Sequence, residues 1–169
     1  MIILVGPPGN GVDEIVRVLD GRGLTITQST DLVEEREGMS LADIAITRGP
    51  AHYAQAEQDA ALAALSAPCD VVVLGSGALG NREGDDRGRA VRERVAELVD
   101  EGATKVFLTA GAKELMNRSG LNVPRSLAIG SPRSMYLTQL KDRTPLYEEH
   151  ATTLDTSSGD WEALADRLV

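Results

Sequence analysis

The sequence has one cysteine, Cys69, two histidines and few aromatic residues, which make up 3% of its 169 positions. A single cysteine excludes an internal disulfide and a Cys-rich metal site. His52 and His150 lie far apart and no H-E-x-x-H spacing occurs, so a zinc centre is not expected. Scarce aromatics imply an aliphatic core and argue against a base-stacking nucleic-acid surface. Positive charge is also in deficit: 17 Lys and Arg against 26 Asp and Glu give a net charge of −9. Nucleic acid and anionic membranes favour a basic surface, so neither is an expected partner. No long hydrophobic run occurs, and Met1–Val5 is too short for a secretory h-region or a membrane span. The expected compartment is the cytoplasm.

What is present is ordinary for a single globular domain over residues 1–169: 42% apolar and 25% charged residues, with no internal repeat. Its organising stretch is Gly6-Pro7-Pro8-Gly9-Asn10-Gly11-Val12-Asp13. The apolar run Met1–Val5 before it suits a buried strand. Val12, Ile15, Val16 and Leu19 after it recur at i, i+3, i+4 and i+7, the period of an amphipathic helix. A strand, a glycine-rich turn and a helix N-terminus together place backbone N–H groups around a phosphate. The spacing is that of a Walker A loop, G-x-x-x-x-G-K-[ST], with Val12 at the lysine and Asp13 at the Mg²⁺-binding hydroxyl. Gly6, Gly9, Asn10 and Gly11 are therefore candidates for holding an anion. Asp13 is read first as a carboxylate that favours the helix N-terminus, and second as a metal ligand.

Further strands are expected at Leu24–Thr27, Asp70–Leu74, Lys105–Thr109 and Ala151–Asp155, and helices at 31–36, 50–65, 90–99, 111–117, 134–142 and 160–168. Ser40 and Asp43 form a weak capping box. Residues 81–89 read as an exposed, solvated connection, with Asp85-Asp86 a solubilising pair, and 118–132 as a lid segment. Alternating strands and helices imply a three-layer α/β/α fold around a five-stranded, mostly parallel sheet. Ligands in such sheets bind beyond the strand C-termini, where Gly6–Gly11 and Gly75-Ser76-Gly77 both fall. Leu74 and Ala78 flank the latter turn, so it is not the G-x-S-x-G elbow of a hydrolase.

Over nearly its whole length the chain resembles shikimate kinase, a P-loop kinase of the nucleoside monophosphate kinase-like fold. The likeness is carried by the position of the glycine loop, by Glu34-Glu35-Arg36-Glu37-Gly38-Met39-Ser40-Leu41-Ala42-Asp43-Ile44 and by Gly49 with Tyr53 and Glu57. It is carried also by Leu74-Gly75-Ser76-Gly77-Ala78 and by Arg143-Thr144-Pro145-Leu146-Tyr147, which is similar to the family's R-x-P-L-Y. The resemblance implies ATP and Mg²⁺ on the loop and transfer of the γ-phosphoryl group to a hydroxyl of shikimate. Catalysis of that transfer rests on positioning and cationic stabilisation.

The family's site residues carry over unevenly. Its loop lysine and next hydroxyl are Val12 and Asp13 here. Its two aspartates after the second strand fall at Gln28 and Thr30, with Asp31 one residue away as a weak metal candidate. One carboxylate-binding arginine is replaced by Ala54; the other is retained as Arg143, beside Gly75, Ser76 and Gly77. Arg118 falls at the arginine near the adenine, and the lid's Arg-Pro is inverted as Pro124-Arg125. Three readings follow. The first is a shikimate kinase-like protein with impaired transfer and a binding or regulatory role linked to aromatic amino-acid biosynthesis. The second is an active ATP-dependent kinase for shikimate or another small metabolite. The third is a module that binds phosphate, a small acid or a protein of the shikimate pathway.

Overall fold

A computed structural model describes residues 1–121 and 132–169. The chain runs β1 (Ile2–Val5), α1 (Val12–Gly21), β2 (Ile26–Gln28), α2 (Ser29–Glu37), α3 (Leu41–Arg48), α4 (Pro50–Leu65), β3 (Val71–Val73) and α5 (Arg89–Asp100). It continues as β4 (Thr104–Thr109), α6 (Ala112–Arg118), α7 (Pro132–Glu148), β5 (Ala151–Asp155) and α8 (Trp161–Asp166). The five strands lie in the order β2-β3-β1-β4-β5, and every pairing is parallel. β1 is central, with Ile3 opposite Val72 on one side and Lys105 on the other.

Strand alternation divides the core between two faces. Ile3, Val5, Val72 and Phe107 pack with Ala61, Ala64 and Leu65 of α4, Val91, Val95 and Leu98 of α5, and Leu146 and Tyr147 of α7. Leu4, Val71, Val73, Val106, Leu108 and Leu154 pack on the other face with Ile15 and Leu19 of α1 and Leu164 and Ala165 of α8. The expected three layers result. Val33, Ile44 and Ala60 form a satellite cluster beneath α2, α3 and α4. α4 starts at Pro50 and ends at Leu65, the limits that the proline at its first position and Ala67-Pro68 beyond its end imply. Ser40 caps α3 by accepting from the Asp43 N–H at 3.2 Å.

One expectation is corrected. The helix expected over 134–142 continues through Pro145 to Glu148. An internal proline removes one backbone hydrogen bond, but burial of Leu146 and Tyr147 holds the last turn in place. The Tyr147 ring stacks on Phe107 with centroids 5.3 Å apart. Lys105 Nζ, from the floor of the sheet, donates to the carbonyls of Leu146 (2.8 Å) and Glu149 (2.7 Å) and so caps that end. Residues 81–88 form the exposed connection expected, but its backbone is held in place. Asp85 accepts from the N–H groups of Asn81 (2.9 Å) and Arg87 (3.1 Å). Arg92 donates to the carbonyls of Leu79 (2.6 Å), Asp85 (2.5 Å) and Arg87 (3.0 Å). The segment 118–132, expected as a lid, lies mostly outside the described residues, as does Arg125. Among the described residues no helix is long and apolar enough to cross a membrane.

Candidate functional site

β1 ends in the glycine loop, whose backbone explains its composition. Gly9 and Gly11 stand at φ +84° and +82°, a left-handed conformation that side chains disfavour. A Cβ on Gly9 would lie 2.4 Å from the Leu115 carbonyl, and one on Gly11 2.6 Å from the Trp161 ring. The loop is pinned from three sides. Tyr136 donates its hydroxyl to the Pro8 carbonyl at 2.6 Å. The Thr156 hydroxyl lies 2.9 Å from the Asn10 carbonyl. Asn10 Oδ1 accepts from the Val12 N–H at 3.0 Å, which satisfies one of the free donors at the start of α1.

A cavity of about 650 Å³ opens over this loop. Gly6–Glu14, Gln28, Thr30, Gly75, Ser76, Arg118 and Trp161 line it, so both glycine turns do face one cleft at the sheet's C-terminal rim. Its chemistry is short of cations. Among the described lining residues Arg118 is the one positive side chain, and each of its nitrogens has a partner. Nε donates to Glu114 (3.0 Å), Nη1 to the Thr156 hydroxyl (2.9 Å) and Nη2 to the Thr156 carbonyl (2.9 Å). Its guanidinium carbon lies 5.3 Å from the Trp161 ring centroid, a cation–π contact. Val12 contributes no charge, while Asp13 and Glu14 bring two carboxylates to the first turn of α1. Asp31 is not among the residues lining the cavity; its carboxylate accepts from Gln28 Nε2 at 3.3 Å.

A second cavity, about 250 Å³, lies beside the first and is lined by Tyr53, Ala54, Glu57, Gly77, Asn81, Arg87 and Arg143, among others. Glu57 is 7% exposed on α4 and accepts from the Gly77 N–H at 3.1 Å. A Cβ on Gly75 would lie 2.6 Å from Glu57 Oε1, and one on Gly77 2.8 Å from Oε2, so both glycines admit this carboxylate. Burial pushes the Glu57 carboxyl above its ordinary range, opposed by the Gly77 N–H and by the Arg143 charge. Arg143 donates to Asn81 Oδ1 at 2.9 Å, and its Nη1 is a long 3.5 Å from Ser76 Oγ. Its buried Nε has no partner. Among the described residues no carboxylate lies within 4.0 Å of its guanidinium. A half-buried guanidinium with unsatisfied N–H donors at a cavity can donate to a ligand carboxylate. Ser76, which lines the larger cavity and approaches Arg143, stands at the junction of the two.

A family model of shikimate kinase matches residues 23–169. The chain belongs to the shikimate kinase family. Relatives named shikimate kinase include that of Mycobacterium avium, 33% identical over 170 residues that cover 99% of this chain and 90% of the relative. Another, from Thermobifida fusca, is 29% identical over 171 residues, covering 100% and 92%. Among solved structures, a shikimate kinase from Acinetobacter baumannii in complex with shikimate matches with a TM-score of 0.76 at 24% identity, covering 99% of this chain and 89% of that one. The shikimate kinase of Bacteroides thetaiotaomicron gives 0.73 at 18% identity, covering 99% and 94%. At such identities the structural likeness speaks for the fold alone. The family match begins at residue 23, beyond the glycine loop.

Set against the family's ATP and Mg²⁺, the residues present fit poorly. Of the positions where the resemblance expects metal or substrate contacts, Asp13 carries a carboxylate, while Gln28 and Thr30, which line the same cavity, are neutral. Among the described residues no group of three or more His, Cys, Asp or Glu could hold a metal ion. Mg²⁺ bound through one carboxylate depends on substrate phosphates for the rest of its shell, and among the described residues Arg118 is the one cation lining the cavity to meet those phosphates. Glu57, Tyr53, Asn81 and Arg87 were absent from the site residues that the sequence pointed to. Glu57 did carry a signal: it shares one helical face with Ala60, Ala61 and Ala64, all buried, and an acid on such a face needs a polar partner.

Proposed function

We propose that the protein binds a small hydroxy acid of the shikimate type in the Arg143 pocket, and that its phosphoryl transfer is impaired. The observation that carries this is the contrast between the two cavities. On the acid side, Arg143 presents an unpartnered buried Nε and Glu57 a buried carboxylate. On the phosphate side, the guanidinium that lines the cavity is bound at all three nitrogens and two carboxylates face the loop. The first arrangement suits a ligand with one carboxylate and neighbouring hydroxyls. The second offers, among the described residues, a single cation tied to its neighbours, where a transferring phosphoryl group requires positive charge. The role is then one of binding or regulation linked to aromatic amino-acid biosynthesis, and a protein of that pathway is the class of partner proposed.

A second reading, an ATP-dependent kinase for shikimate or a similar metabolite, is supported by the full-length likeness to relatives named shikimate kinase and by the retained conformation of Gly9 and Gly11. The two readings share the acid pocket and part at the nucleotide. Titration calorimetry with shikimate tests the shared part: binding is expected in the native protein and lost in Arg143→Ala. A rise in melting temperature with millimolar Mg-ATP is expected on the second reading and not on the first, because a ligand of the native state stabilises it.

A further inference from the structure

The acid pocket has room where Ala54 stands, and a lone guanidinium holds a carboxylate in one plane only. We propose that Arg87 supplies its second cation. Arg87 lines the same 250 Å³ cavity as Ala54 and Arg143. Its main chain is fixed on both sides: the N–H donates to Asp85 Oδ1 (3.1 Å) and the carbonyl accepts from Arg92 Nη1 (3.0 Å). Gly88 at φ +77° closes the loop so tightly that a Cβ there would lie 2.3 Å from the Leu79 carbonyl carbon. The backbone that carries Arg87 is thus built, while its side chain is exposed. Among the described residues no carboxylate lies within 4.0 Å of that guanidinium.

Asn81 ties this loop to the pocket, since its N–H is held by Asp85 and its Oδ1 accepts from Arg143. Two arginines, one from α7 and one from the 81–88 loop, then face a ligand carboxylate, and Glu57 is left for a hydroxyl. The volume lies below the usual range for nucleotide- or drug-sized ligands, so the ligand is a compact monocarboxylic acid bearing hydroxyl groups. This assignment rests on the acid-binding reading above.

The test is calorimetric titration of shikimate into the native protein, Arg87→Ala, Arg87→Lys, Arg82→Ala, Arg143→Ala and the pair Arg87→Ala with Ala54→Arg. Melting curves check that each variant is folded. Loss of a charged hydrogen-bonding partner is expected to weaken binding about tenfold or more in Arg87→Ala. Arg87→Lys recovers part of that loss, because an ammonium keeps the charge but not the fork. Arg82→Ala, on the same loop but outside the cavity, binds as the native protein does. The double variant regains affinity, since the arginine returns at position 54. Native-like binding by Arg87→Ala, with Arg143→Ala still weakened, overturns the role of Arg87 and leaves the acid pocket standing. No binding of shikimate by the native protein overturns both.

Discussion

Replacing Val12 by lysine adds a positive charge to the start of α1 beside the glycine loop. Val12 is half-buried and packs beside the α1–α8 cluster. Losing those contacts is expected to cost about 1 kcal/mol, roughly half the value of a fully buried valine. In a domain of this size that lowers the melting temperature by about 2–4 °C. The Asn10 contact survives, because it uses the main-chain N–H of residue 12. An ammonium about 4 Å from a phosphate oxygen gains roughly 4 kcal/mol at an effective dielectric of 20. Desolvation reduces this to the about 1.5–3 kcal/mol typical of a hydrogen bond to a charged group. Nucleotide affinity is therefore expected to rise about ten- to a hundredfold. Trp161, the sole tryptophan, lies against Gly11 and reports on the loop directly through its fluorescence. Mg-ATP titrated into native protein and Val12→Lys gives the comparison. Equal affinities in two folded proteins would show that the absent charge is not what limits binding, and the contrast between the two cavities would lose its basis.

Other perturbations have defined outcomes. Gly77→Ala places a methyl 2.8 Å from Glu57 Oε2 and 3.1 Å from Arg143 Nη2; both side chains must retreat, so calorimetry should show weaker shikimate binding with little change in melting temperature. Burial holds Lys105 down at about 8. The native state therefore binds fewer protons than the unfolded chain between about pH 8 and the lysine's ordinary value. Stability is expected to rise with pH across that window, by at most about 3 kcal/mol, in urea melts from pH 7 to 10, and Lys105→Met should flatten the rise. Glu57 has the opposite sign. Its carboxyl is raised, so stability falls as pH climbs from the ordinary carboxylate range through its raised value, and Glu57→Gln, which keeps an acceptor for the Gly77 N–H, should remove that slope.

Much of the fold could be read before any coordinates. The runs Val71–Val73 and Ile2–Val5 and the limits of α4 at Pro50 and Leu65 follow from local rules of pattern and capping. What escaped was tertiary. The helix through Pro145 persists because Tyr147 and the Lys105 cap act on it from elsewhere in the chain. The 81–88 loop is exposed, as its polar residues imply, yet Arg92, on the next helix, binds two of its carbonyls and that of Leu79 just before it. The same limit applied to the site. Val12, Gln28, Thr30 and Ala54 were visible as departures from the family's pattern. That Arg118 is engaged while Arg143 keeps an unpartnered nitrogen depends on distances between segments, which spacing along the chain does not encode.

A coupled ADP-release assay on the native protein with shikimate, ATP and Mg²⁺, run beside shikimate titration on the same preparation, tests most directly whether the acid site has outlived the phosphoryl chemistry. The expected result is saturable shikimate binding with ADP release no faster than in a shikimate-free control. Shikimate-dependent turnover of about 1 s⁻¹ or more, the lower end for working kinases, would contradict it.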